Sequence, residues 1–182
     1  MNPQELARII EAILFVTNGA VSLEGLRRTL EVETSEIEGA LKALAEARAH
    51  SGLCLQRKGS EVQMVTAPDV APYIEKYLGI HLSGRLSAAA LETLAIIAYR
   101  EPVTRAQIEA IRGVNSDAVL GTLLARGLIA EAGRLETVGR PIVYTTTFQF
   151  LQQFGLKSTN ELPPFEEKAT DAQNVEDATA GS

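Results

Sequence analysis

Tryptophan is absent from this chain, cysteine occurs once, and histidine and methionine occur twice each. A single cysteine, Cys54, excludes an intrachain disulfide. With His50 and His81 as the only histidines, no Cys/His spacing suits zinc. The sequence also has no phosphate-binding glycine loop and no convincing Ser/His/Asp set, so neither a cofactor nor a catalytic centre is expected. Cys54 lies in an apolar, alternating run and reads as a small core residue rather than a nucleophile. Long apolar runs are missing as well. The stretch IIEAILFV near the N-terminus is interrupted by Glu11 and lacks a basic flank, which argues against a signal peptide, and no run approaches a membrane span. These absences lead to the expectation of a soluble, cytoplasmic protein without membrane contact.

An excess of positive charge is also lacking. The formal net charge is −6 over 182 residues, and the residues from Lys157 onward carry 2 basic and 6 acidic side chains, or −4 of that total. The body is therefore close to neutral, which is not the electrostatic footprint of a stand-alone nucleic-acid binder. The hydrophobic share of 46% is ordinary for a globular protein with a real core.

What is present is a pattern that occurs twice. Asn2 and Pro3 open a helix in which Leu6, Ile9, Ile10, Ile13 and Leu14 recur at helical spacing, with Gly19 as its stop. Ser22 begins a second helix through Leu30, and Thr34 or Ser35 caps a third carrying Ile37, Leu41 and Leu44. The period then changes to two. LCLQRK and EVQMVT flank Gly59-Ser60 and predict a β-hairpin, followed by a helix entered through Asp69 and either bent or restarted at Pro72. Downstream, Ser87 caps AAALETLAIIAY, Thr104 with Gln107 opens RAQIEAIR, and Asn115 or Ser116 starts DAVLGTLLAR. LIAEA and IVYTT then flank a glycine-containing turn, and FQFLQQF ends at Gly155. An offset of about 82 residues aligns Val21-Ser22 with Val103-Thr104, Leu26 with Ile108, Ile37 with Val119 and Leu41 with Leu123. Three helices followed by a hairpin predict a mainly α fold with small β-hairpins, organised as tandem winged-helix (helix-turn-helix plus wing) domains. The expected boundaries are 1–80 for the first domain, 81–86 for a linker, 87–156 for the second domain and 157–182 for an acidic, largely disordered tail. Within that tail ELPPFEE reads either as a linker or as an extended segment docking through Leu162 and Phe165.

A helix-turn-helix that reads DNA presents Arg, Lys, Asn or Gln to base edges from its second helix. Here Val119, Leu120, Leu123 and Leu124 form the apolar stripe, and the opposite face carries Asp117, Gly121, Thr122 and Ala125. The equivalent helix of the first copy begins among Glu31, Glu33, Glu36 and Glu38. Neither offers the cations for several phosphate contacts. The second wing has Arg134 and Arg140 around Glu136, which either add modest nucleic-acid affinity or form ion pairs. A small, nearly neutral face suits a partner helix; alternatively, Gly121 is simply tolerated on a solvated surface.

The second copy carries a resemblance. ALETLAIIAYREPVTRAQIEAIRGVNS, the GR at 133–134, GRPIVY at 139–144 and FLQQFGLKSTNELPP closely resemble the segregation and condensation protein B (ScpB) family, accessory subunits of bacterial SMC–kleisin condensins. The match is strong from about Leu86 to Pro164 and less sharp in the first copy. The resemblance implies a non-catalytic subunit with two winged helices per chain, a homodimer formed through the N-terminal ones, and C-terminal ones that bind the kleisin ScpA. Through the kleisin it implies an SMC ATPase as partner, a role in chromosome condensation and segregation, and association with the nucleoid, with DNA contacted only weakly or indirectly. Its shared positions are Thr104-Arg105, Arg112-Gly113 and Gly139-Arg140 before Tyr144. Thr145 departs from the glycine usual there, which puts the geometry of the wing exit in question. Asp117, Gly121, Thr122, Arg134, Arg140 and Pro141 are the candidate partner-binding residues. The rival readings are a winged-helix DNA-binding transcription regulator and an enzyme working through Cys54 and His81.

Overall fold

A computed structural model of the chain describes residues 2–78 and 85–164. It is mostly helical with two small antiparallel sheets, and one succession of elements occurs twice. The first half runs α1 (Pro3–Val16), β1 (Val21–Ser22), α2 (Leu23–Leu30), α3 (Thr34–Ala47), β2 (Leu53–Lys58) and β3 (Glu61–Thr66). A 3-10 turn at Pro68–Val70 then leads into α4 (Ala71–Leu78), so the chain does restart beside Pro72. The second half runs α5 (Ala88–Arg100), β4 (Val103–Thr104), α6 (Arg105–Arg112), α7 (Asp117–Ala125), β5 (Ile129–Arg134), β6 (Ile142–Thr146) and α8 (Phe148–Phe154).

Side-chain caps fix most helix starts, because the first N–H groups of a helix lack intrahelical acceptors. Asn2 Oδ1 accepts from Gln4 N at 3.1 Å, Ser22 Oγ from Gly25 N at 3.0 Å and Ser87 Oγ from Ala90 N at 3.2 Å. Thr104 and Gln107 form a reciprocal capping box. Two termini differ from the sequence reading. α3 is entered from Glu33, one residue before Thr34, with the Glu36 carboxylate accepting from Glu33 N at 3.0 Å. α1 stops at Val16 rather than running to Gly19, since Thr17 takes an extended backbone and its hydroxyl donates to Ile13 O at 2.7 Å.

The hairpins gain a strand that the sequence reading lacked. Val21 pairs with Val62 and Ser22 with Glu61, giving the order β1-β3-β2; Val103 pairs with Tyr144 and Thr104 with Val143, giving β4-β6-β5. Two residues have no periodicity to detect, and their pairing partners lie about 40 positions away. Thr145 sits in regular register opposite Ala130, so this wing exits without the glycine conformation.

The constant offset of 82 residues also needs a correction. It holds for β1 and β4 and for Leu26 and Ile108, but the turn before α7 is one residue longer than that before α3. Ile37 is therefore matched by Leu120, not Val119, and Ala40 by Leu123; all four are buried. α7 has 9 residues against 14 in α3, and the longer β5–β6 connection restores the register at the last strand.

Each half closes its own core. Leu6, Ile10, Leu26, Ile37 and Leu44 meet Val62 in one; Leu94, Ile97, Ile108, Leu123, Leu128 and Leu151 meet Tyr144 in the other. Full burial of each such side chain contributes about 1.5–3 kcal/mol. Where the halves meet, the directional contacts are polar. α8 lies against β2, Gln56 Nε2 donates to Leu156 O at 2.7 Å, and Arg57 N donates to Lys157 O at 2.8 Å. Lys58 Nζ contacts Glu101 Oε1 at 2.9 Å and Thr146 Oγ1 at 2.8 Å. Residues 157–164, the start of the expected tail, continue from this contact. Leu162 packs on the second core, and Tyr99 Oη donates to Pro163 O at 2.7 Å. Phe165, residues 81–84 of the expected linker and NVEDATAGS lie outside the described residues.

Candidate functional site

The turn between α6 and α7 is built by its own side chains. Gly113 has φ +72° and donates its N–H to Glu109 O at 2.8 Å, ending α6 in the left-handed conformation that favours glycine. The fully buried Ser116 donates its N–H to Glu109 Oε1 at 2.9 Å. Arg112 Nη1 donates to Ser116 Oγ at 3.0 Å while Nε donates to Glu92 Oε2 at 3.2 Å. Asn115 Oδ1 accepts from Asp117 N at 3.1 Å. This network fixes how α7 leaves the turn relative to α5 and α6. The Arg112 side chain is only 6% exposed, so it braces the turn and is not presented to a ligand.

From that start α7 turns Leu120 and Leu123 inward, with Val119 and Leu124 partly covered. Asp117, Gly121, Thr122 and Ala125 face outward and are exposed. The Thr122 hydroxyl donates back to Ala118 O at 2.9 Å, leaving mainly a methyl group for an incoming surface. A Cβ built on Gly121 would meet nothing within 4 Å, so no packing inside the chain requires glycine there. Asp117 forms an ion pair with Arg105 across the turn between α6 and α7. That guanidinium holds the Asp117 carboxyl below its usual range, with Asn115 adding to the effect.

The β5–β6 hairpin is braced in the same manner. Arg134 Nη1 donates to Arg140 O at 3.0 Å, Leu135 N to Pro141 O at 3.0 Å and Arg140 N to Thr137 O at 2.9 Å. Arg140 has φ +41°, a conformation unusual for a residue other than glycine, at the tight end of this loop. Tyr144 is buried beneath, and burial pushes its phenol up, with Glu131 acting in the same direction. Arg105, Asp117 and Arg134 all lie within electrostatic reach of that phenol. Gly121 and Thr122 lie one turn beyond Asp117 on α7, while Arg134, Arg140 and Pro141 are brought together where the β5–β6 connection closes.

Two contributors were hidden from sequence reasoning. Arg105 and Asp117 are twelve positions apart with no periodic relation, and Arg112 resembled an ordinary cation in a last helical turn. The Arg105 pair offsets the Asp117 charge at the start of α7, while Arg112 pairs with Glu92 of α5 and braces the turn. The first half shows a similar balance, where Arg57 makes a bidentate contact with Glu38 at 2.5 and 2.6 Å and lowers that carboxyl.

Cys54 lines a cleft of about 440 Å³ with His50, Asp69 and Lys157. Burial raises its thiol, which leaves less of the nucleophilic thiolate. His81 lies outside the described residues. Among the described residues no group of three or more His, Cys, Asp or Glu is placed to hold a metal, and no helix is long and apolar enough to cross a membrane.

These features define a class: a twice-repeated helical module with small sheets whose outward helix presents a small, charge-balanced surface. The sequence profile described as "Segregation and condensation complex subunit ScpB" matches residues 8–165, and the chain belongs to that family. Segregation and condensation protein B of Moorella thermoacetica is 47% identical over 175 residues, covering 95% of this chain and 89% of that one. The protein of the same name from Geobacillus kaustophilus is 45% identical over 179 residues, covering 97% and 82%. Among solved structures, ScpB from Mycobacterium tuberculosis is 40% identical, covers 86% of this chain and 98% of its own, and superimposes with a TM-score of 0.42.

Proposed function

We propose that this chain is a non-catalytic adaptor of an SMC–kleisin condensin, built from two winged helices and acting in chromosome condensation and segregation at the nucleoid. The observation that carries the reading is the outer face of α7. It presents Gly121, Thr122 and Ala125 beside an Asp117 already neutralised by Arg105, which fits a protein surface better than a phosphate backbone. A segment of the kleisin ScpA docks there and on the wing residues Arg134, Arg140 and Pro141, bringing the SMC ATPase with it. Domain limits near residues 80 and 87 agree with two separately closed cores.

The first half provides the homodimer contact in this reading. Phe15 and Val16 at the end of α1 are 78% and 80% exposed, and Tyr73, Tyr77 and Leu78 are exposed on α4. These side chains supply apolar area for a second copy to cover. The test is recovery of partners on the tagged chain from a nuclease-treated native lysate. Near-stoichiometric kleisin and SMC support the adaptor; their absence, with specific duplex DNA recovered from an untreated lysate, favours a transcription regulator.

A further inference from the structure

Three consecutive residues of β2 hold the second half. Gln56 is 2% exposed, accepts at Oε1 from Gln63 Nε2 at 3.1 Å and donates to Leu156 O. Arg57 gives its backbone N–H to Lys157 O. Lys58 reaches both Glu101 and Thr146, and Glu101 Oε2 in turn accepts from Thr146 N at 2.5 Å and Thr146 Oγ1 at 2.7 Å. Thr146 and Leu156 bracket α8 on its two sides, so this one helix is fastened to β2 before its first turn and after its last.

The fastening differs from both cores. Val62 and Met64 face the first core from β3, whereas Gln56, Gln63 and Lys58 occupy the sheet positions facing α8. Among the described residues, the two apolar clusters share no member. With side chains only 20% and 18% exposed, the Lys58–Glu101 ion pair is screened by salt much less than a surface pair, so it opens by competition for one partner or by loss of one. A polar junction between two closed cores also permits relative motion without unfolding either.

We propose that Gln56, Arg57 and Lys58 form a polar seat for α8, and that the Lys58–Glu101 pair is a releasable latch setting the orientation of the two halves. Closed, it holds the partner-binding face of the second half at one angle to the first; released, the halves reorient as folded units. A cation-rich or anion-rich partner competing for either side chain therefore changes the shape of the chain without touching either core.

Double electron–electron resonance on the full chain tests this, with nitroxides on Arg28→Cys and Val138→Cys in a Cys54→Ser background. Labelled chain is diluted into excess unlabelled chain, so that distances within one molecule dominate. The latch predicts a narrow distance distribution for the wild type at low salt. Lys58→Met should be broad already at low salt, raising the reoriented fraction at least about tenfold, as for loss of one partly buried charge partner. Lys58→Arg should restore the narrow distribution. A wild-type distribution that is broad at low salt overturns the proposal. So does a Lys58→Met chain with the wild-type distribution. Should Lys58→Met melt early by circular dichroism, Glu101→Gln decides instead, since it keeps an acceptor for Thr146 and removes the charge partner: a broad distribution supports the latch and the wild-type one overturns it.

Discussion

Replacing Glu101 by alanine tests whether one carboxylate organises the junction between α5, β6 and β2. In the native chain its oxygens accept from Thr146 N, Thr146 Oγ1 and Lys58 Nζ. Thr146 is 1% exposed, so its orphaned N–H has little access to water. An unsatisfied buried donor costs about 1–3 kcal/mol. A largely covered ammonium losing its partner raises the total to roughly 3–5 kcal/mol. Glu101→Gln keeps an acceptor oxygen for Thr146 and loses only the charge, so about 1–2 kcal/mol is expected. Urea unfolding followed by circular dichroism gives both values. The ordering Ala, then Gln, then wild type is the signature sought. An alanine variant within about 0.5 kcal/mol of wild type, the range of an ordinary surface change, would refute the reasoning.

The register correction in the third helix predicts that Leu120→Ala destabilises by about 2–5 kcal/mol, against less than about 1.5 kcal/mol for the partly buried Val119→Ala; thermal melts of the two variants compare them directly. Glu38 supplies a pH dependence. Its folded pKa lies below its unfolded one because of Arg57, so its contribution is present above the ordinary carboxylate range and is lost as pH falls through the folded value. Both side chains are well exposed, so after solvent screening the effect is about 0.5 kcal/mol. The urea midpoint of wild type should therefore fall more than that of Glu38→Gln between neutral and acid pH. Gly113→Ala leaves open space for its methyl group, and its cost of roughly 1 kcal/mol comes from the left-handed backbone alone.

Local signals explain what was legible in the sequence. Asn2, Ser22, Ser87, Thr104 and Gly113 act within four residues of where they stand, so caps and stops could be placed from spacing alone. β1 and β4 could not, because a two-residue strand exists only through a distant partner. The seat on β2 was hidden for a related reason. In LCLQRK, Gln56 and Lys58 look like the solvated side of a half-buried hairpin, and only the arrival of α8 makes them an interface. At the candidate site, the apolar stripe of α7 and the smallness of its other face were legible. The neutralisation of that face was not, since Arg105 meets Asp117 only after the turn has folded.

The most direct test of the adaptor reading is a calorimetric titration of the full chain with the central segment of a kleisin ScpA, with random duplex DNA titrated in parallel at the same salt. The account predicts saturable kleisin binding with one segment per two chains, abolished by Gly121→Trp on the open face of α7, and little heat from DNA. Duplex binding that weakens with salt at a slope of several phosphates, together with no kleisin binding, would contradict it.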